Sequence, residues 1–424
     1  MIKFVILGLY VIMQLFKLDQ RPPIWFDELN YLNTALNISI SAKQVCDFYL
    51  YRDNLFFGTM PVFLWISAFF IKILGMTLFK MRFLSVLYSV GVLQLSFSIA
   101  KKIYDEKFAI LTIIIIATSH TFFVFSRQIM PYSLATLFLL GAFYSALNHK
   151  IYFSAFLATL SFLTHPIGLG GIIGCFIIII MQKDNLKKFV LTTMFTMLPY
   201  ALFVLFNWTE YFYQTNLIVC QGYGTEKLNI VRNILNELPA RYLQLGRIDS
   251  LMWNRIVRGF KNINKIYYLL NIPTAIFIYS FLFSIFNKFN KLVIIMVLSI
   301  MLVLSIHPNK FPPYLYMTIP FFSMMFAYLL RNKKSLIILF YVFLLINIAY
   351  WGRMLTTNKY GNYDEFIGKI KSHIPKGSTI LGPRYFWLGL YKDNNFISTE
   401  NLIYYTEKGG NIKNFIKEKH IDYV

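Results

Sequence analysis

The sequence predicts an all-α polytopic membrane protein with about eleven transmembrane helices, extracytoplasmic surface helices and a small α/β domain at its carboxyl end. Of its 424 residues, 57% are hydrophobic and 14% are charged, whereas soluble domains carry about 25% charged residues. A chain with this much apolar surface is neither a soluble globule nor a disordered polymer. Its net charge of +22 fits basic cytoplasmic loops rather than a nucleic-acid partner, because the bilayer is its solvent.

The distribution of lysine and arginine among the short loops predicts the orientation. Cations crowd into alternate loops, while the loops between them hold only Arg127 and Lys310. By the positive-inside rule the cation-rich loops face the cytoplasm, as does Lys3. This alternation requires that the apolar run 60–79 does not cross the membrane. That run contains Lys72, and a lysine at mid-bilayer costs about 2.5–3.5 kcal/mol, so we expect a surface or re-entrant helix there.

The remaining apolar runs give the predicted organisation. A transmembrane domain covers residues 1–351, with a first outer loop at 19–82 and a long outer loop at 207–265, and a small extracytoplasmic domain covers 352–424. In that domain we expect a helix at 363–373, a strand at 378–381 and a late helix at 412–419. The predicted spans are approximately residues 2–18, 83–100, 108–125, 132–148, 151–164, 167–181, 189–206, 267–286, 292–306, 314–330 and 336–351.

An acidic pair, Asp27 and Glu28, follows the interfacial aromatic residues Trp25 and Phe26 just beyond the first span. One interpretation is helix capping, with Asp27 as the N-cap and Glu28 in the first turn. The other is catalytic: a partly desolvated carboxylate near the membrane surface takes a proton from an acceptor hydroxyl or amine. No recognised metal motif occurs in the chain, but a single divalent ion on this pair is a further alternative.

Two basic residues stand beside tyrosines at the outer ends of spans. Arg127 precedes Tyr132, and Lys310 precedes Tyr314. Arg127 either anchors a helix end at the interface or binds a phosphate at headgroup depth, with the Tyr132 hydroxyl beside it. Lys310 either anchors a stiff proline-rich loop or neutralises a phosphate leaving group that Tyr314 orients.

Two histidines lie on the same predicted face of the membrane. His165 precedes a proline at the end of one span, where it either caps the helix or lines a substrate cleft, and His307 opens the proline-rich loop. One outer cleft would collect these histidines, the acidic pair and the two cations. The spans are otherwise nearly free of charge apart from His120, which disfavours an ion or proton pump.

The order of these segments resembles the GT-C superfamily of membrane glycosyltransferases, in particular the broad family of protein O-mannosyltransferases and the lipid A aminoarabinose transferase. The long loop and the tail match only in position. The matching segments are Trp25-Phe26-Asp27-Glu28, Met60-Pro61-Val62-Phe63-Leu64-Trp65, Phe79-Lys80-Met81-Arg82, Ser126-Arg127-Gln128-Ile129-Met130-Pro131-Tyr132, Leu163-Thr164-His165-Pro166-Ile167-Gly168, Lys310-Phe311-Pro312-Pro313-Tyr314 and Ile319-Pro320.

The resemblance implies that a sugar moves from a polyprenyl-phosphate donor to an extracytoplasmic glycolipid, polysaccharide or protein, usually with inversion. It implies that Asp27 is the acid–base or acceptor-orienting residue, that Glu28 supports it, and that Arg127 and Lys310 bind the carrier phosphate. The chain departs from the family pattern at Pro313, where many relatives have an arginine, and lacks a second acid near Arg127.

The resemblance also implies a multi-pass protein of the plasma (inner) membrane with its active site on the extracytoplasmic face. The alternatives are a lipid-linked glycan flippase or carrier without chemistry, and an envelope-assembly scaffold. A flippase should carry polar groups deep in its spans, whereas a scaffold should tolerate loss of the acidic pair.

Overall fold

The computed structural model describes residues 1–48, 55–216, 234, 265–307, 312–356, 363–407 and 409–424. Within these ranges the chain is predominantly helical, as the sequence predicts. The helices in the regions of the predicted spans are α1 (Ile2–Leu15), α4 (Leu78–Ile103), α5 (Glu106–Thr118), α6 (His120–Phe125), α7 (Tyr132–Ala146), α8 (Ile151–Thr164), α9 (Leu169–Met181), α10 (Leu186–Phe206), α12 (Lys265–Phe286), α13 (Lys291–Ile306), α14 (Ile319–Asn332) and α15 (Ile337–Thr356). A short helix, α11 (Trp208–Asn216), follows α10 in the long loop.

Two predicted spans are interrupted. The span expected at 108–125 is divided at Ser119, whose ψ of 124° ends α5 before α6 begins. The span expected at 314–330 starts as a 3₁₀ helix, Pro312–Thr318, and becomes α-helical at Ile319. Pro320 lies in the first turn of α14, where its missing amide hydrogen costs no helical hydrogen bond.

Three helices in the described part of the chain are long and apolar enough to cross a bilayer: Leu78–Ile103, Leu186–Phe206 and the segment Lys334–Thr356, which includes a short 3₁₀ turn. The shorter apolar stretches of these ranges, such as α1 and the part Ile272–Phe286 of α12, have 10–17 residues. They are shorter than the ~20 residues that a perpendicular span needs, so crossing at these helices requires flanking turns or a thinner bilayer.

Glycines allow close contact between α9 and α13. A Cβ added at Gly170 would lie 2.6 Å from the Ile300 Cα, and one added at Gly174 would lie 2.5 Å from the Met296 Sδ. Small residues at such positions let helix backbones approach each other. These two glycines therefore pack helices, as their position within a predicted span suggests, and do not cradle a phosphate.

The first outer loop forms two helices, α2 (Phe26–Ser41) and α3 (Pro61–Leu74). They pack against each other, with the Tyr31 and Phe63 rings 5.5 Å apart in an edge-to-face contact. The apolar run 60–79 is therefore not one helix: α3 ends at Gly75, whose φ is +73°, and α4 begins at Leu78.

The tail begins with α16 (Tyr363–Lys371) and contains two short parallel strands, β1 (Thr379–Gly382) and β2 (Asn395–Ser398). The sequence predicts α16, β1 and the last helix, but not β2, because four residues are too few for a clear alternating pattern. The helices after β1 are α17 (Trp387–Leu390), α18 (Thr399–Glu407) and α19 (Ile412–Glu418). A 3₁₀ turn, Arg384–Phe386, precedes α17.

A second hydrophobic core joins the tail to the outer helices. It combines apolar side chains of α2, α3 and the start of α4 with Trp387, and the Trp387 ring meets Phe48 edge to face at 5.4 Å. The tail is thereby fixed on the first outer loop, beside the acidic pair.

Candidate functional site

Asp27 lies in the first turn of α2, partly exposed. The Trp25 Nε1 donates a hydrogen bond of 3.2 Å to its Oδ2. Burial raises the pKa of Asp27 above its ordinary value; the hydrogen bond from Trp25 and the positive charge of Arg384 oppose this shift, and the Glu28 charge adds to it. Since the proton affinity of the carboxylate rises with its pKa, Asp27 is a stronger base than an ordinary aspartate.

Glu28 is fully buried, and its oxygens already hold four hydrogen bonds. Arg82 donates to both of them, from Nη2 to Oε1 at 2.8 Å and from Nε to Oε2 at 3.0 Å. The backbone amides of Trp25 and Ile129 each donate at 2.9 Å. Trp25 is the N-cap residue and Glu28 closes the capping box, so the interpretation of Asp27 as the N-cap is wrong. These four hydrogen bonds hold the Glu28 carboxylate in a fixed position beside Asp27.

Arg82 also holds the connector between α1 and α2. Its Nη1 donates to the carbonyl oxygens of Leu18 and Pro22, at 3.0 and 2.8 Å. The same guanidinium thus fixes both the connector and Glu28. The sequence placed Arg82 in a matching segment but gave it no function.

Arg127 holds the end of α1. Its Nη1 donates to the carbonyl oxygens of Met13 and Gln14 at 2.9 and 2.6 Å, its Nη2 to that of Phe16 at 2.6 Å, and its Nε to that of Arg21 at 3.0 Å. The side chain is fully buried. It donates hydrogen bonds to carbonyl oxygens that have no partner within the helix at its carboxyl end. The structure therefore places Arg127 in the scaffold of the acidic loop and not on the wall of a cleft.

Replacing Arg127 by methionine is therefore expected to lower stability more than ligand binding. Hydrogen bonds that involve a charged group contribute about 1.5–3 kcal/mol each, so we expect a loss of at least about 3 kcal/mol of unfolding free energy. Denaturant unfolding of the purified protein measures it. If stability were unchanged while affinity for a polyprenyl phosphate fell, the phosphate-binding role expected from the sequence would be restored.

A cleft of about 240 Å³ opens between α2, α3 and the outer ends of the spans. Four predicted site residues meet at it or behind it: the Tyr314 ring lies 5.1 Å from His165, 5.2 Å from His307 and 5.8 Å from Tyr132, between ring centroids. Tyr132 is buried behind the other three, which line the wall. On the opposite wall stands Tyr31, one helical turn after Asp27.

The tautomer of His165 follows from its backbone contact. Its Nδ1 accepts a hydrogen bond of 3.3 Å from the Ile167 amide, so the neutral ring carries its proton on Nε2. The ring thus caps the start of the 3₁₀ turn Pro166–Gly168 and not the end of α8, where the sequence interpretation expected it. It keeps an N–H donor as well. Lys310, the second expected phosphate ligand, lies outside the described residues.

Among the described residues, Arg384 is the cation whose charge lowers the pKa of Asp27. The sequence did not identify it. It is buried in the tail, and its Nη1 donates to the Asn30 Oδ1 at 2.8 Å and its Nε to the Glu400 Oε1 at 2.6 Å. The guanidinium carbon also lies 5.7 Å from the Phe26 ring centroid. The only sequence signal was the arginine among aromatics in Arg384-Tyr385-Phe386-Trp387. Among the described residues, no group of three or more His, Cys, Asp or Glu side chains could hold a metal.

Comparison with known proteins finds similarity in structure only. No protein-family model matches the sequence, and no curated protein matches it either. ArnT from Cupriavidus metallidurans bound to undecaprenyl phosphate superposes with a TM-score of 0.66 at 12% identity, over 98% of this chain and 90% of ArnT. The apo form of that ArnT gives a TM-score of 0.64 at 11% identity, with the same coverage.

A second protein shares the fold more distantly. The oligosaccharyltransferase AglB from Archaeoglobus fulgidus, in complex with an inhibitory peptide and a dolichol-phosphate, superposes with a TM-score of 0.52 at 10% identity. The match covers 93% of this chain and 64% of AglB. These superpositions show that the chain has the fold shared by ArnT and AglB. With its apolar helices, it is an integral membrane protein.

Proposed function

We propose that this protein is a membrane glycosyltransferase that moves a sugar from a polyprenyl-phosphate donor to an acceptor on the extracytoplasmic face, with inversion. The observation that carries the proposal is the superposition on ArnT across 98% of the chain. The placement of Asp27 in the first turn of a surface helix, beside an aromatic cleft, supports it.

In the proposed reaction Asp27 accepts the proton of the acceptor hydroxyl or amine. The acceptor oxygen or nitrogen forms a bond to the anomeric carbon of the donor sugar as the bond from that carbon to the phosphate oxygen breaks. Polyprenyl phosphate leaves with the bonding electron pair. Attack opposite to the leaving group inverts the anomeric centre. The raised pKa of Asp27 suits a general base, because proton transfer is most efficient when the pKa of the base approaches the working pH.

The donor phosphate would lie in the cleft lined by His165, His307 and Tyr314. The Nε2–H of His165 and the Tyr314 hydroxyl would donate to phosphate oxygens, with Tyr132 packed behind them, and Lys310 would supply a positive charge to the leaving group. The isoprenoid tail would stay in lipid, so that its binding energy positions the anomeric carbon. Arg127 is not kept as a phosphate ligand in this proposal, because its donors hold the end of α1.

The buried polar groups of the spans favour an enzyme over a lipid-linked glycan flippase. In the described spans, serine and threonine hydroxyls such as those of Ser96, Thr112, Thr136 and Thr159 donate to carbonyls of their own helix. A hydroxyl satisfied in this way offers no relay for a headgroup that crosses the bilayer. The buried hydroxyls of Ser154, Ser284 and Ser323 have no partner among the described residues, but they lie on three different helices.

Binding of undecaprenyl phosphate tests the donor site. Thermal unfolding of the purified protein should show stabilisation of about 2.7 kcal/mol at a ligand concentration 100 times Kd, and His165→Phe should weaken it. The matched control is His149→Phe, which changes an exposed histidine in a loop at the other ends of the spans. If undecaprenol, which lacks the phosphate, stabilised the protein equally, the phosphate site would be refuted.

The pH dependence of transfer tests the role of Asp27. A base must be deprotonated, so kcat/KM should rise with pH through the raised pKa of Asp27, above the ordinary aspartate value of about 3.9. Removing the positive charge in Arg384→Gln should raise this pKa further, since Arg384 lowers it, and should move the acidic limb to higher pH. An acidic limb that stays in place, or moves to lower pH, would contradict the assignment.

A further inference from the structure

A second cleft, of about 440 Å³, lies between α2 and the tail. The site proposed for the donor does not include it. Side-chain amides and aromatic rings dominate its lining, which includes Asn33, Asn37, Asn394, Asn401, Trp387 and Tyr391. A lining of amides with few charges distinguishes it from a phosphate site.

The walls of this cleft are held together by direct contacts. The Asn401 Nδ2, in the tail, donates to the Asp47 carbonyl oxygen at 3.0 Å, and Arg384 bonds Asn30 of α2. Trp387, which lines the cleft, also meets Phe48 edge to face. The cleft is thus formed by the docked structure and does not depend on a ligand to assemble it.

The α2 wall carries two oriented amides. Asn33 and Asn37 are one turn apart on the same helix face, and their Nδ2 groups donate to the Asp47 Oδ2 at 2.9 and 3.0 Å. The Asp47 amide in turn donates to the Asn33 Oδ1 at 2.7 Å. This network fixes the side chains that face the cleft.

One wall atom lacks a partner. Asn401 is 4% exposed, and its Oδ1 accepts no hydrogen bond from any described residue. A buried acceptor without a donor is costly, so this oxygen is suited to receive a hydrogen bond from a ligand that enters the cleft. The ligand must therefore bring a donor such as a hydroxyl group.

Aromatic rings supply the complementary apolar surface. Tyr391 is half-buried and stacks on Trp387, with ring centroids 4.9 Å apart. A sugar ring presents C–H groups on its faces and hydroxyls at its edge, and each hydroxyl both donates and accepts, as an amide side chain does. A wall of rings beside a wall of amides matches that chemistry.

We propose that the second cleft binds a saccharide portion of the acceptor, an inference that rests on the proposed function. Asn33 follows Asp27 by six residues on α2, a rise of about 9 Å. Tyr31, which lines the donor cleft, and Asn33, which lines the second cleft, are about 200° apart around α2, so the two clefts flank opposite faces of that helix. The acceptor would then be a glycan or glycolipid, and not an unglycosylated peptide.

Saturation-transfer NMR on the purified full-length protein tests this proposal, with maltose, lactose, mannobiose and chitobiose as probes. We expect saturation to pass from the protein to at least one of these saccharides, which reports binding. Tyr391→Ala and Asn401→Leu should each weaken its binding by roughly 2- to 10-fold. The matched control is Tyr423→Ala, in the same domain but outside the cleft, which should leave binding unchanged.

Three outcomes would overturn the proposal: no saccharide binds, one binds equally to the wild type and to Tyr391→Ala, or only short peptides added as further probes bind. Stabilisation by undecaprenyl phosphate, measured on the same preparations, reports the donor site separately. A protein that binds undecaprenyl phosphate and no saccharide refutes the acceptor cleft alone, whereas one that binds neither refutes the proposed function as well.

Discussion

Asp27→Asn should reduce sugar transfer by about 10²–10⁴-fold, the usual contribution of a general base. The amide is nearly isosteric, and it can still accept the hydrogen bond from the Trp25 indole. It has no useful proton affinity, so the acceptor would have to lose its proton to water. The loss should appear in kcat, with donor binding unchanged.

Mass spectrometry of envelope glycans and glycolipids gives the readout. Deletion of the gene should remove one sugar residue, which identifies donor and acceptor together, and wild-type protein supplied in trans should restore it. Asp27→Asn should fail to restore it at equal protein level and equal stabilisation by undecaprenyl phosphate. Asp19→Asn, which changes an acid on the same connector, is the matched control. Full restoration by Asp27→Asn would refute the catalytic assignment and favour a scaffold role.

Helix positions could be predicted because the bilayer imposes them. Backbone groups in hydrocarbon must bond within their own helix, so a long apolar run such as 189–206 has one stable conformation, and α10 covers it. The breaks within and between helices were harder to predict from the sequence. The break at Ser119 has no proline or glycine to signal it, and the end of α3 before Gly75 falls inside a predominantly apolar run whose one glycine did not by itself predict a helix end.

The partners of the charged residues could not be predicted in the same way. The sequence shows that Arg127 is an unusual charge at an outer boundary, but its partners are carbonyls more than 100 positions earlier. Every residue has a backbone carbonyl, so the sequence does not show which carbonyls an arginine contacts. An arginine that binds phosphate and one that holds a helix end therefore cannot be told apart from the sequence. Arg384 was missed for a related reason, since its proximity to Asp27 depends on how the tail docks on α2.

The cluster of aromatic and histidine side chains was easier to predict from the sequence. The sequence assigned His165 and His307 to one cleft with the acidic pair and the two cations, and it placed Tyr132 and Tyr314 beside those cations. The structure brings the rings of these two histidines and two tyrosines together. The prediction that this end of the spans is extracytoplasmic rests on loop charge alone. What the sequence could not supply is that Tyr132 lies behind this cluster, which depends on side-chain packing.

Arg82→Met should be the most destabilising single change in the outer region. The Arg82–Glu28 pair is fully buried, and removal of one partner leaves an uncompensated charge, which costs about 3–5 kcal/mol. Glu28 would also lose the contact that orients it beside Asp27. We expect a large drop in the denaturation midpoint, together with loss of transfer.

The double variant Arg82→Met with Glu28→Gln separates charge from packing. Since the neutral amide leaves no buried charge, the double variant should be more stable than Arg82→Met alone, and the double-mutant cycle should give a coupling energy above about 1 kcal/mol. Lys101→Met, which breaks an exposed pair with Glu106, is the control and should change stability by less than about 1 kcal/mol. Additive effects of the two buried substitutions would mean that the pair does not hold the acidic loop, and that Asp27 is positioned by the capping box of α2 and the clamp of Arg127 on α1.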